Sequence, residues 1–136
     1  MSLPPLPLPD ELTRPFWEAA HEGRLVIQRC RRTGQFQHPP QPVCLCCTDI
    51  DLAFEPVTGN GTVHTFVVMH DRRVHGFEDR VPYVNVWVEL DEQPELVVLA
   101  NLVDTEPDDV AIGMPVEVTF ERLTDEITLP QFRPRR

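Results

Sequence analysis

The stretch PYVNVWVEL, residues 82–90, alternates without a break. Val84, Val86, Val88 and Leu90 share one face of an extended chain, and Tyr83, Asn85, Trp87 and Glu89 share the other. A period of two with one wholly apolar face is the mark of a strand whose inner side is buried. GTVHTFVVMHD (61–71) precedes it as a second β-branched run, and LVVLANLVD (96–104), MPVEVTFERL (114–123) and ITLPQFRP (127–134) follow. Turn-forming stretches such as EPDDVAIG (106–113) separate them. Five strands with one long loop, DRRVHGFEDR (71–80), between the first two predict a small Greek-key barrel of OB type. Val84, Val86, Val88, Val116 and Val118 are its expected core. The last strand carries Pro130 and Pro134 and is expected to be short and at an edge.

The N-terminal third reads differently. MSLPPLPLPDEL (1–12) alternates Leu and Pro, which favours an extended arm. Thr13 is the expected N-cap of a short helix over 15–22, with Pro15 in its first turn and Gly23 ending it. Phe16, Ala19 and Ala20 share a helical face beside Trp17. LVIQRC (25–30) is a short strand that leads into GQFQHPPQPVC (34–44), a loop or hairpin.

Cys30, Cys44, Cys46 and Cys47 lie close together in that region. A structural zinc site takes four soft ligands in a tetrahedron, commonly from two C-x-x-C turns. Cys44 and Cys47 supply one such turn. In the other, Cys30-Arg31-Arg32-Thr33, a threonine stands where the second thiolate is needed. Three arrangements stay open: zinc on Cys30, Cys44 and Cys47 with water, Cys46 or His38 as the fourth ligand; a ribbon that has lost its metal; or cysteines with no metal role.

Composition narrows the function. A chain of 136 residues has room for one compact domain with a small appended module. A formal net charge of −10 disfavours nucleic acid, whose phosphates demand clustered positive charge. No run is long and apolar enough for a membrane helix, and the start lacks the pattern of a signal peptide, so a cytoplasmic location is expected. Glycine-rich phosphate loops, nucleophile elbows and zinc-protease motifs are missing from the sequence, and no catalysis by this chain alone is expected. Arg31, Arg32, Arg72 and Arg73 are candidates for contact with ligand phosphates.

Six pieces of sequence in order resemble one family: TRPFWEAAHEGRLVIQRC, GQFQHPPQPVCLCC, TGNGTVHTF, PYVNVWVEL, IGMPVEVTF and LPQFRP. They are similar to the zinc-ribbon plus OB-fold proteins catalogued as domain of unknown function 35. The resemblance implies a mainly β chain with three parts: an N-terminal arm and helix over 1–24, a rubredoxin-like zinc ribbon over 25–55, degenerate at Thr33, and a five-stranded OB-fold barrel over 56–136. It further implies a non-catalytic accessory subunit in a hetero-oligomer. The partner would be a thiolase-like enzyme or a steroid side-chain aldolase, or else an enoyl-CoA hydratase, with a coenzyme A thioester as the substrate of the complex. Leu6, Leu8, Phe16, Trp17, Tyr83 and Trp87 are the candidates for contact with that partner, since large apolar groups anchor interfaces.

Overall fold

In the computed structural model, which describes residues 3–136, the alternating stretch becomes a strand with Val84, Val86, Val88 and Leu90 each no more than 2% exposed. Met1 and Ser2, the start of the expected arm, lie outside the described residues.

The elements run α1 (Arg14–His21), β1 (Val26–Cys30), β2 (Phe36–Gln37), β3 (Leu52–Pro56), β4 (Asn60–Met69), β5 (Tyr83–Leu90), β6 (Val97–Leu102), a 3-10 turn (Pro107–Asp109), β7 (Pro115–Arg122) and β8 (Thr128–Pro134). β1 is the middle of a three-stranded antiparallel sheet between β2 and β3. The other five strands close a barrel in the order β4-β5-β6-β8-β7. β4 pairs with β5 over most of its length and with β7 near its start, and a bulge between Val63 and Thr65 allows the strand to turn from one partner to the other.

Two expectations need correction, and one strand appears that the sequence reading did not mark. β8 is seven residues long and seals the barrel, pairing with β7 from Thr128 to Pro134. Its prolines are tolerated because it meets its other neighbour, β6, at a single position, Leu102 with Phe132, so little of the ladder on that side needs its amides. LAFEP, which no period marks as a strand, pairs with β1 over five positions as β3. Thr13 does not cap the helix with its side chain. The cap lies a turn earlier: the Thr13 amide donates to Asp10 Oδ1 (2.8 Å), and the Asp10 amide donates to Thr13 Oγ1 (3.1 Å). This reciprocal pair is a capping box that moves the start of the turn back to Asp10.

The core is continuous from the helix through the barrel. Phe16, Leu25 and Ile27 join Val63, Val84, Val86, Val88, Leu90, Val98, Val116 and Phe132 in one buried cluster, with Val118 packed against it half-buried. The helix is therefore part of the barrel's own packing. His21 Nδ1 meets Thr128 Oγ1 of β8 at 2.9 Å. The arm is anchored as well: Pro4 is buried, and a Cβ placed on Gly76 of the β4–β5 loop would lie 2.4 Å from the Leu3 carbonyl and from Pro4 Cα. Gly76, at φ 86°, is where the loop lets the arm come this close.

Ribbon and barrel are joined by side chains that imitate a strand. Gln93, in the β5–β6 turn, accepts from the Phe36 amide and donates to the Phe36 carbonyl, both at 2.9 Å. No helix among the described residues is long and apolar enough to cross a membrane.

Candidate functional site: a three-cysteine cluster and an uncharged cleft

β1 ends in Cys30, and the chain turns back at once, with the Gly34 amide donating to the Cys30 carbonyl (2.8 Å). A second turn follows, closed by the Thr48 amide on the Cys44 carbonyl (2.8 Å), with Thr48 at φ 63°. These two turns bring together the sulfurs of Cys30, Cys44 and Cys47, all within 4.8 Å of one another. Cys30 Sγ and Cys47 Sγ are 3.7 Å apart, close to the edge of about 3.8 Å that a tetrahedron with zinc–sulfur bonds of about 2.3 Å would have. Amides of the turns point at the sulfurs, from Thr33 to Cys30 Sγ (3.5 Å) and from Cys46 to Cys44 Sγ (3.4 Å). Thr33, through its hydroxyl and then its amide, lowers the Cys30 thiol to about 7. The Asp49 backbone pulls Cys47 down, but burial and the Cys30 and Cys44 sulfurs outweigh it and leave that thiol raised.

Three thiolates in this spacing fit a soft tetrahedral ion, and the donor set is that of a zinc ribbon. The fourth corner is another matter. Cys46 is exposed and His38 lies elsewhere, so neither of the two expected fourth ligands belongs to the cluster. Thr33, the residue at the position where the first turn lacks its second cysteine, has its Oγ1 3.9 Å from Cys44 Sγ.

His38 is in the second feature of the molecule. Where β6 and β8 diverge beyond their single paired position, a cleft of about 370 Å³ opens between the barrel, α1 and the ribbon loop. Phe16 and Trp17 form one wall, His38, Pro39 and Pro40 another, and Leu99, Asn101, Pro130 and Gln131 line the seam. Gln131 reaches across: its Oε1 accepts from the Asn101 amide (2.7 Å) where a backbone carbonyl would otherwise do so. The loop carrying His38 is held by buried Gln28, which donates to the Gln41 carbonyl (2.9 Å) and accepts from the Gln41 amide (2.8 Å). No Arg, Asp or Glu lines the cleft, so it suits an uncharged occupant.

The His38 ring packs 5.2 Å from Phe16, its Nδ1 is buried with no hydrogen-bond partner among the described residues, and burial lowers its pKa to about 4. The neutral ring is the form the fold accepts. As pH falls from about 6.5 to about 4, the unfolded chain takes up a proton that the folded chain refuses, so stability declines through that window and is whole above it. The loss should approach ~3 kcal/mol by pH 4. Chemical denaturation between pH 4 and pH 7 should show this slope, and His38→Gln should flatten it. An equal slope in the variant would assign it to other groups.

The remaining candidates are placed as follows. Arg31, Arg32 and Arg73 pair with Asp51 (3.3 Å), Asp49 (3.6 Å) and Asp71 (2.9 Å), and Arg72 is exposed on the β4–β5 loop. Phe16 is 7% exposed and belongs to the chain's own core, because α1 lies flat on the barrel. Trp17 is half-buried, edge-on to Phe16 at 5.0 Å. Leu8 is 91% exposed and Leu6 40%. Tyr83 stacks on Phe77 at 4.7 Å, and half-buried Trp87 stands on the outer face of β5 beside Leu99 of β6, which is 58% exposed. The sequence reading missed Leu99 and the cleft. Leu99 sits in the fully apolar run LVVL, where no alternation distinguishes an outward leucine from an inward one.

Comparison with known proteins fits this anatomy. Residues 17–49 match the family model described as ChsH2, rubredoxin-like zinc ribbon domain, and residues 54–121 match ChsH2, C-terminal OB-fold domain. A solved structure titled "Ltp2-ChsH2(DUF35) aldolase" contains a chain 38% identical, superposing with a TM-score of 0.85 over 94% of this chain and 98% of that one. A DUF35 domain-containing scaffold protein of Methanocaldococcus jannaschii is 32% identical over 88% of this chain and 84% of its own length. A probable enoyl-CoA hydratase alpha subunit of Thermomonospora curvata is 43% identical over 88% of this chain, which spans only 36% of that protein. With both halves of its length matched in order and a near-complete superposition, the chain belongs to the ChsH2 zinc-ribbon and OB-fold family, the DUF35 proteins.

Proposed function

We propose that this chain is a non-catalytic accessory subunit of a thiolase-like enzyme, a retro-aldolase acting on acyl-CoA thioesters such as those bearing a steroid side chain. In this reading it stabilises the partner and shapes its acyl-CoA site. The observation that carries the reading is the likeness, along almost the entire chain, to a chain from an aldolase complex. The surface supports a protein partner: Trp87 and Leu99 face each other across β5 and β6, exposed Val67 of β4 lies diagonal to Trp87, two residues along from its partner Thr65, and Leu99 also borders the cleft. Contiguous exposed apolar groups of this kind are typical of interfaces. Exposed Leu6 and Leu8 on the arm, with Trp17 and Tyr83, are further candidates for contact with the partner. Of the four candidate arginines, Arg72 is the one without an ion pair among the described residues, which leaves its guanidinium available to a phosphate.

Cys30, Cys44 and Cys47 hold a structural zinc in this reading, in a cytoplasmic setting that keeps thiols reduced. Elemental analysis of chelator-free protein should give close to one zinc per chain, and a value near zero would leave the ribbon without metal.

Co-expression with the thiolase-like partner tests the assignment. A stable complex should elute as one peak and cleave an aldol-type acyl-CoA, and this chain alone should not. A second reading, a subunit of an enoyl-CoA hydratase, is favoured by the 43% identical hydratase relative. It predicts that the stable complex hydrates an enoyl-CoA instead. Absence of a stable complex with either enzyme would overturn both.

A further inference from the structure

A tetrahedral ribbon site needs four donors, and this chain assembles three sulfurs. Cys46 does not complete the set. It lies inside the tight turn that joins Cys44 to Cys47, its side chain is exposed, and its contribution is the amide hydrogen bond to Cys44 Sγ. Swinging its thiol inward would break the turn closed by Thr48. His38 is tied down by its packing on Phe16 and by the Gln28 and Gln41 hydrogen bonds beside it. Thr33 occupies the remaining corner, between its amide bond to Cys30 Sγ and its hydroxyl near Cys44 Sγ, and it is exposed to solvent.

We infer that the ribbon of this protein is a three-thiolate metal centre whose fourth position is an oxygen, the Thr33 hydroxyl or a water beside it, and that this corner opens to solvent. The inference rests on the zinc reading above. Its chemical content is a change in class: an uncharged oxygen donor is far weaker toward zinc than a thiolate, so the ion is held less tightly and keeps one exchangeable position. A closed four-cysteine ribbon has no such position. The ribbon then responds to chelators and to small thiols that can enter at Thr33.

Cobalt(II) is the probe, added to the reduced full-length chain. The intensity of the thiolate-to-cobalt charge-transfer band rises with the number of bound sulfurs, and the expected spectrum is that of three. Thr33→Cys should raise the band by about a third, from three sulfurs to four, and tighten zinc at least about tenfold in competition with a chromophoric chelator. Cys46→Ser, a change at an exposed side chain, should leave the spectrum as it is. A four-thiolate spectrum in the unaltered chain, or one that Cys46→Ser diminishes, overturns the inference while leaving zinc in the ribbon. An unchanged band and affinity in Thr33→Cys do the same. Cobalt bound only by Thr33→Cys, or by neither chain, overturns the zinc reading as well. Circular dichroism of each variant confirms that the fold is retained.

Discussion

Val86→Asp should lower the melting temperature by more than about 10 °C, or leave the protein insoluble. Val86 is fully buried in the centre of β5, where it pairs with Phe66 of β4 and Ala100 of β6. Its neighbours inside the barrel are Val84, Val88, Val116 and Phe132, all apolar and at most 2% exposed. The buried members of the core cluster are all Phe, Leu, Ile or Val, so none offers a side-chain donor to a carboxylate. Two costs combine: the lost packing of an aliphatic side chain, and a polar group buried without a hydrogen bond or counter-charge. Together they amount to about 4 kcal/mol or more, a large part of the roughly 5–15 kcal/mol by which a domain is stable. Thermal unfolding followed by circular dichroism measures it. A soluble variant with an unchanged midpoint would remove Val86 from the core.

Leu99→Asp should do the opposite, sparing the fold and breaking the complex. Leu99 is largely exposed, and its backbone stays paired with Trp87, so the substitution leaves β6 in place. In a complex of the kind proposed, the new carboxylate would be buried against an apolar partner surface, with a loss of about 2–4 kcal/mol, or about thirtyfold or more in affinity. Size-exclusion co-elution and titration calorimetry with the partner would show it, with melting of the isolated subunit unchanged. Full affinity in the variant would move the interface away from the outer face of β5 and β6. Removing residues 1–9 then tests the arm separately. Deletion of 1–22 cannot serve this purpose, because Phe16, Ala19 and Ala20 of α1 are buried in the chain's own fold.

Much of this anatomy could be read before the structure was considered. The unbroken alternation of residues 83–90 determined a strand and its buried face, because side chains of an extended backbone point to opposite sides whatever surrounds them. The spacing of Cys44 and Cys47 marked a metal-type turn for the same local reason, and the gap at Thr33 was visible in the residue itself. Other features had no local signature. LAFEP became a strand because β1 offered it a partner edge. Phe16 reads as a candidate for partner contact because it is a large apolar side chain, yet the barrel supplies the surface that buries it.

What the sequence determined by itself was the set of short-range periods: the barrel strands, the helix and the two cysteine turns. Tertiary structure alone decided which groups meet across the chain. It gathered Cys30, Cys44 and Cys47 while leaving the Cys46 side chain exposed, placed His38 against Phe16, and opened the cleft where β6 and β8 part after one shared position. The physical reason is that backbone geometry repeats from residue to residue and so leaves a trace in the order of side chains, whereas contacts between distant segments depend on how whole elements pack, which no local period records.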